Sequence, residues 1–223
     1  MKMIAPLALA ILSVPLAPAA PAMAQATALR APPADAWEIG PVIRGRNYSV
    51  GMPPSPSPVR SGEWAFDFPV GSEEAGHVHY VTAPAPDLSR FSRISYTYRV
   101  EAAPGTRFIP RESPDMPATV SLYIQRRGDD WSGRRGRAHY RWFAPGAHVT
   151  PLGVGTFRVT VSLSDPGWTQ VWGQPAANHP REFAAALADA DRIGLLFGST
   201  FARGHGVFAS RRARFVLIDF RME

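Results

Sequence analysis

The chain has 223 residues, 45% of them hydrophobic, with 23 prolines, 19 glycines, no cysteine and a formal net charge of +6. Without cysteine there are no disulfides, no thiolate metal sites and no cysteine nucleophile, so the fold must be held by its apolar core. Apart from Lys2 and the histidines every basic side chain is arginine. Arginine's planar fork suits carboxylate, sulfate or phosphate, although GC-rich coding produces the same bias, and the arginines are spread rather than gathered in one block, which argues against a nucleic-acid partner.

In chain order, Lys2, the apolar run Ile4 to Leu16 and the small-residue end Ala22-Met23-Ala24 form the three regions of a secretory signal. Residues 1–24 are therefore expected to be a signal peptide cleaved after Ala24. Pro6 and Pro15 interrupt the run, which is shorter than the ~20 apolar residues of a spanning helix. No integral membrane span is expected, and the mature chain is assigned to the periplasm or the exterior. Cleavage removes Lys2 and leaves 23 arginines against 18 acids, a net charge of +5. Residues 25–36 are Ala- and Pro-rich and read as a tether, and 37–223 as one domain. The Pro/Ser stretch Met52 to Pro58 reads as a loop that cannot join a sheet interior.

Beyond it, hydrophobicity alternates with period two, the signature of a half-buried strand. In Arg93 to Val100, Ile94, Tyr96, Tyr98 and Val100 share one face, and Arg93, Ser95, Thr97 and Arg99 the other. In Thr119 to Arg127, Val120, Leu122 and Ile124 are expected inward, with Ser121, Tyr123, Gln125 and Arg127 outward. In Thr156 to Leu163, Phe157, Val159, Val161 and Leu163 alternate with Arg158, Thr160 and Ser162. Further strands are predicted at Trp64–Phe68, His77–Val81, Ala138–Phe143, Ile193–Gly198 and Arg212–Met222. One helix is predicted over Arg181–Asp189, after Pro180 and rich in alanine. This pattern predicts an all-β fold, an antiparallel jelly-roll β-sandwich with one short helix. Arg203-Gly-His-Gly206 lacks the lysine and following helix of a phosphate loop.

The segment Asp165-Pro-Gly-Trp-Thr-Gln-Val-Trp-Gly173 is followed by the helix bearing Phe183 and Leu187, then Arg192-Ile-Gly-Leu-Leu-Phe-Gly198 and Ala213-Arg-Phe-Val-Leu-Ile-Asp-Phe220. This half of the mature chain resembles galactose-binding-like jelly-roll domains, among them many carbohydrate-binding modules. The resemblance implies a sugar site on the concave sheet face or at the loop ends, and often a structural metal ion. Asp129-Asp130 is the nearest approach to a calcium site, and a hairpin loop explains that pair as well. No metal and no cofactor are assigned.

If the strands at 93–100, 119–127, 138–143 and 156–163 are neighbours, their polar faces align Arg93, Arg99, Tyr123, Gln125, Arg127, His139, Arg141 and Arg158 on one surface. Aromatic rings stack on sugars and Arg and Gln forks bind hydroxyls and carboxylates, so such a surface suits a glycan, an acidic one included. The wet side of an antiparallel sheet has the same composition. Trp131, between Asp130 and Ser132, is the exposed sugar platform to be expected, whereas Trp168 and Trp172 are read as plugs of the sandwich end. His205, between two glycines, is placed at a loop-end pocket, because glycine permits close backbone approach. His77-Val-His79 puts two imidazoles on one strand face, and zinc needs a third ligand from His139, His148, His179 or His205.

No catalytic residue is assigned. A lyase would draw on Gln125, His139, Tyr123 or Tyr140, and Arg127 or Arg141. A glycosidase needs two facing carboxylates, and the spacing of the acids singles out no pair; a serine hydrolase lacks its G-x-S-x-G turn. The chain reads first as a non-catalytic glycan-binding module of the cell envelope. The alternatives are a small polysaccharide lyase or hydrolase on the same scaffold, and a structural envelope protein. Oligomeric state is left open.

Overall fold

The computed structural model describes residues 28–30, 32–60 and 62–223, so the expected signal peptide and its cleavage site lie outside the described residues. The architecture is the antiparallel β-sandwich with one short helix that the alternation predicts.

The first sheet contains β1 (Leu29–Arg30), β5 (Ser57–Arg60), β6 (Glu63–Asp67), β8 (Arg93–Ala102), β13 (Gly155–Ser162) and β17 (Ala213–Met222). Its order is β13-β8-β17-β6-β5, with β1 paired to the far end of β17 through Leu29 and Met222. The expected tether thus contributes two residues to a sheet. The second sheet contains β2 (Glu38–Gly40), β7 (Tyr80–Pro84), β10 (Thr119–Arg126), β11 (Arg141–Phe143), β12 (Thr150–Pro151), β14 (Thr169–Gln170) and β15 (Ala190–Gly198). Its order is β14-β11-β10-β15-β7-β2, and β12 pairs with β10. Two small ribbons, β3 (Val42–Ile43) with β4 (Arg46–Asn47) and β9 (Phe108–Pro110) with β16 (Val207–Ala209), complete the strands.

The core lies between the sheets. Ile94, Tyr96, Tyr98 and Val100 of β8 are buried as the period predicts, and so are Val120, Leu122 and Ile124 of β10. The sheets meet through rings: Phe197 of β15 stands edge-on to Phe215 of β17 at 5.3 Å and to Phe66 of β6 at 5.5 Å. Aromatic pairs of this geometry contribute beyond the area they bury, which matters in a chain without cross-links. Ser57–Arg60 sits at the sheet edge, where Pro58 loses no ladder hydrogen bond.

The helix α1 (Pro180–Ala188) starts on Pro180, whose missing N–H costs nothing in the first turn. It buries Phe183, Ala186 and Leu187, three and four residues apart, with the Phe183 ring 4.8 Å from Trp142 and 5.5 Å from Trp168. The Trp168 indole N–H donates to Ser162 O, so this tryptophan plugs the sandwich as expected. Trp172 does not: it is 63% exposed. The predicted strand 138–143 is also corrected. Arg137–Tyr140 forms a 3-10 turn, and only Arg141–Phe143 is strand.

Candidate functional site

The single polar surface expected from the four strands does not form. Arg93, Arg99 and Arg158 belong to β8 and β13 in the first sheet, while Tyr123, Gln125 and Arg141 belong to β10 and β11 in the second. Alternation tells which side chains turn away from the core, but the long connections between these strands decide which sheet receives each. Arg127 lies just beyond β10 and pairs with Asp189 and Asp191. His139 is in the 3-10 turn, its ring 4.4 Å from that of His179.

The outer face of the second sheet is not a wet face. Tyr123 and Ser121 are fully buried and Gln125 is nearly so, because loops lie over the centre of the sheet. Tyr80 of β7 meets Tyr123 edge-on at 4.9 Å, and Trp131 stands at right angles to Tyr80 at 5.4 Å. This aromatic group, with Leu196 and Phe143, is a small second core separate from the one between the sheets.

The loop Gly128-Asp-Asp-Trp-Ser-Gly133 builds the cover. Asp129 turns back beneath it, its side chain 1% exposed. Its Oδ2 accepts from Gln125 Nε2 at 2.9 Å and lies 3.1 Å from Arg141 Nε, while Oδ1 accepts the Trp131 backbone N–H at 3.2 Å. Arg141 Nε sits at ion-pair distance without a hydrogen bond's alignment. The Asp129 carboxyl is held above its ordinary range, because burial outweighs the Arg141 charge and the Gln125 hydrogen bond. Trp131 itself adopts φ 64°, a left-handed backbone that bulky residues avoid. In that conformation the indole is laid across the sheet, with the Arg141 guanidinium 5.1 Å from its ring centre. The tryptophan singled out in the sequence is thus half-buried rather than freely exposed.

Two of the depressions that border this group contain its Tyr80, and a further one is lined by Trp131 with Arg44, Arg46 and Tyr48. The first, about 250 Å³, has Tyr80, Tyr123 and Gln125 at its floor and Trp131, Glu38 and Arg192 around them. Arg192 Nε donates to Thr82 Oγ1 at 3.2 Å, and its Nη2 lies 3.5 Å from Glu38 Oε2. The Tyr123 hydroxyl is buried and has no hydrogen-bond partner. Burial pushes its pKa well above the ordinary tyrosine value, so it enters as a neutral phenol. The second depression, about 320 Å³, shares Tyr80 with the first and is lined by Arg141, Phe143, Thr169, Phe201 and Arg203. Phe201 is 86% exposed at its mouth. The exposed Trp172 lies between two further lining residues, Val171 and Gly173, and its indole N–H donates to Gly133 O at 3.2 Å.

His205 also lines the second depression, its Nδ1 2.8 Å from Glu112 Oε2. Its flanking glycines serve a purpose other than ligand approach. A Cβ on Gly204 would lie 2.5 Å from the Tyr80 hydroxyl, and one on Gly206 2.8 Å from His79 Nε2. Both have positive φ, so this loop can press onto β7 only with glycine there. Beneath it the His77 and His79 rings are 4.7 Å apart, and the Gly204 carbonyl accepts from His79 Nδ1 at 2.8 Å. Burial, helped by the neighbouring His77, pushes His79 down to about 3. Among the described residues, no group of three or more His, Asp or Glu is arranged to hold a metal ion.

No protein-family model matches the chain, and no curated protein matches it. Among solved structures, the L4b domain of human laminin alpha-2 is similar, with 13% identity and a TM-score of 0.41 over 78% of this chain and 83% of that one.

Of the residues expected in a site, Tyr123, Gln125, Trp131, Arg141 and His205 line the two depressions; Arg93, Arg99, Arg127, His139 and Arg158 do not. Glu38, Tyr80, Arg192 and Arg203 join them without having been singled out. Alternation in Tyr80-Val-Thr82 was the one sequence signal for an outward Tyr80.

Proposed function

We propose that the protein is a non-catalytic carbohydrate-binding module of jelly-roll type, exported to the cell envelope, which holds a glycan across the two depressions of its second sheet. The observation that carries this reading is Trp131. A large ring in a strained backbone, at the wall of the first hollow and over tyrosines of which Tyr80 also lines the second, is an arrangement a sugar ring can use and folding alone does not demand. Around it, Gln125, Arg192 and Glu38 offer donors and acceptors at fixed positions. Few convergent polar groups on an aromatic lining are what a small-ligand site needs. Export rests on the N-terminal signal pattern, and N-terminal sequencing of the envelope fraction should read Gln25 first.

The lyase set is not assembled, since His139 packs on His179 and Tyr140 lies under the Arg126 guanidinium at 4.9 Å. One observation favours a glycosidase instead: Glu38 and Asp129 line the same depression, and Asp129 is shifted toward the protonated form of a general acid. Against it, both Asp129 oxygens are already engaged by Gln125, Arg141 and the Trp131 N–H. Glycan-array screening tests the binding reading. Trp131→Ala should lose tenfold or more in affinity, and Arg158→Ala on the other sheet should change nothing. Absence of binding to every glycan overturns the reading, and Asp129-dependent release of shortened saccharides replaces it with the hydrolase.

A further inference from the structure

Building on the glycan-binding reading, we propose that the second depression is an anion subsite, in which Arg203 receives a carboxylate or sulfate substituent of the bound saccharide. Three arginines line the two depressions, and they differ in one respect. Arg192 lies 3.5 Å from Glu38, and Arg141 lies 3.1 Å from Asp129. Arg203 has no carboxylate within ion-pair distance among the described residues. Its Nη1 donates to Ala144 O at 2.6 Å and its Nη2 to Thr169 Oγ1 at 3.0 Å, both neutral acceptors.

A guanidinium carries five N–H donors in a rigid fork. Two are used in these bonds, which anchor the fork and leave Nε–H and one hydrogen on each Nη for a ligand. The anchoring lowers the entropy lost on binding, and the remaining donors match a planar carboxylate or one face of a sulfate. Phe143 lies beneath, its ring centre 5.6 Å from the guanidinium carbon. Such a partly desolvated cation interacts with an anion more strongly than the exposed arginines of the first sheet can. Burial lowers the Arg203 pKa, the mark of a cation whose charge the protein has left uncompensated. Among the described residues no carboxylate lines the second depression, and Glu112 pairs with His205.

The arginine excess of the sequence is therefore not what selects an acidic ligand. One guanidinium does, while the first depression, whose charges are already paired, reads hydroxyls. The ligand class is a saccharide that carries one acidic substituent.

The test uses the full mature chain and isothermal titration with three oligosaccharides of one length: a uronate form, its carboxyl-reduced neutral counterpart and a sulfated neutral form. In parallel, inorganic sulfate is titrated while the Arg203 Nε–H resonance is followed by NMR. Wild type is expected to prefer an acidic form at least tenfold, the uronate and sulfate arms telling which group is read. Arg203→Met should abolish that preference, Arg203→Lys should keep part of it, and Trp131→Ala should weaken all three forms alike. Melting curves of both Arg203 variants check that they fold. Equal wild-type affinity for acidic and neutral forms overturns the anion subsite and leaves glycan binding standing. A sulfate response at Arg203 with no saccharide bound supports the anion subsite and overturns the glycan reading; silence in both experiments overturns both.

Discussion

The outer faces of the two sheets carry similar residues and have opposite fates. On the first sheet, Arg99 pairs with Glu101 at 2.8 Å, Arg221 with Asp219 at 2.7 Å and Arg93 with Glu223 at 2.6 Å, all in contact with water. On the second, Asp129 and Arg141 make the same kind of pair beneath a loop, with side chains 1% and 10% exposed. The exposed pairs are screened by water and salt and add little to stability. The covered pair has lost its hydration, so its members depend on each other. Polar residues on a sheet face become a site only where something else shields them from water.

The largest effect expected from this contrast is at Asp129. Asp129→Asn leaves the Arg141 guanidinium buried without a counter-charge and should cost about 3–5 kcal/mol in denaturant unfolding. Adding Arg141→Met should recover most of the loss. A cost below ~1 kcal/mol for the single change would show the pair to be as wet as those on the other sheet.

Next comes acid sensitivity under the loop at 203–206. His79 takes up its proton near pH 6.5 when unfolded and only at about 3 when folded. Between those values the unfolded chain binds the extra proton, so stability is complete above pH 6.5 and falls as the pH drops toward 3. At pH 5 the loss from this group is about 2 kcal/mol, at ~1.4 kcal/mol per pH unit. His79→Gln should flatten the slope of stability against pH across this window. An unchanged slope would remove His79 as its source.

A smaller effect rests on one atom. Because the Tyr123 hydroxyl is buried without a partner, Tyr123→Phe should leave the free protein unchanged or stabilise it by up to ~1 kcal/mol, and should leave glycan binding within twofold. A destabilised Tyr123→Phe variant would mean that the hydroxyl serves the fold. Smallest of all, Arg99→Ala on the first sheet should shift stability by no more than ~0.5 kcal/mol and leave binding untouched.

Much of the sandwich was legible in the sequence because β8, β10 and β13 alternate cleanly, and burial of Ile94, Leu122 and Val161 follows from period two. The helix was equally plain, announced by Pro180 and three apolar residues on one face. Less of the site was readable. Trp131 stood out by residue type, and Tyr123 and Gln125 by their place on the polar face of a strand. Arg203 appeared only in a rejected phosphate-loop pattern, and its Thr169 and Ala144 partners are 34 and 59 residues away.

Periodicity, composition and turn residues are local properties, and from them follow the all-β class, the inward faces, the single helix and the lack of any cross-link. Which strand joined which sheet depended on long connections that no local pattern encodes. The fold alone put Arg93 and Arg99 in water, drew Asp129 under its loop and left Arg203 without a partner. An ion pair, a desolvated charge or an orphaned hydroxyl is a relation between distant segments, and it comes into being only when they pack.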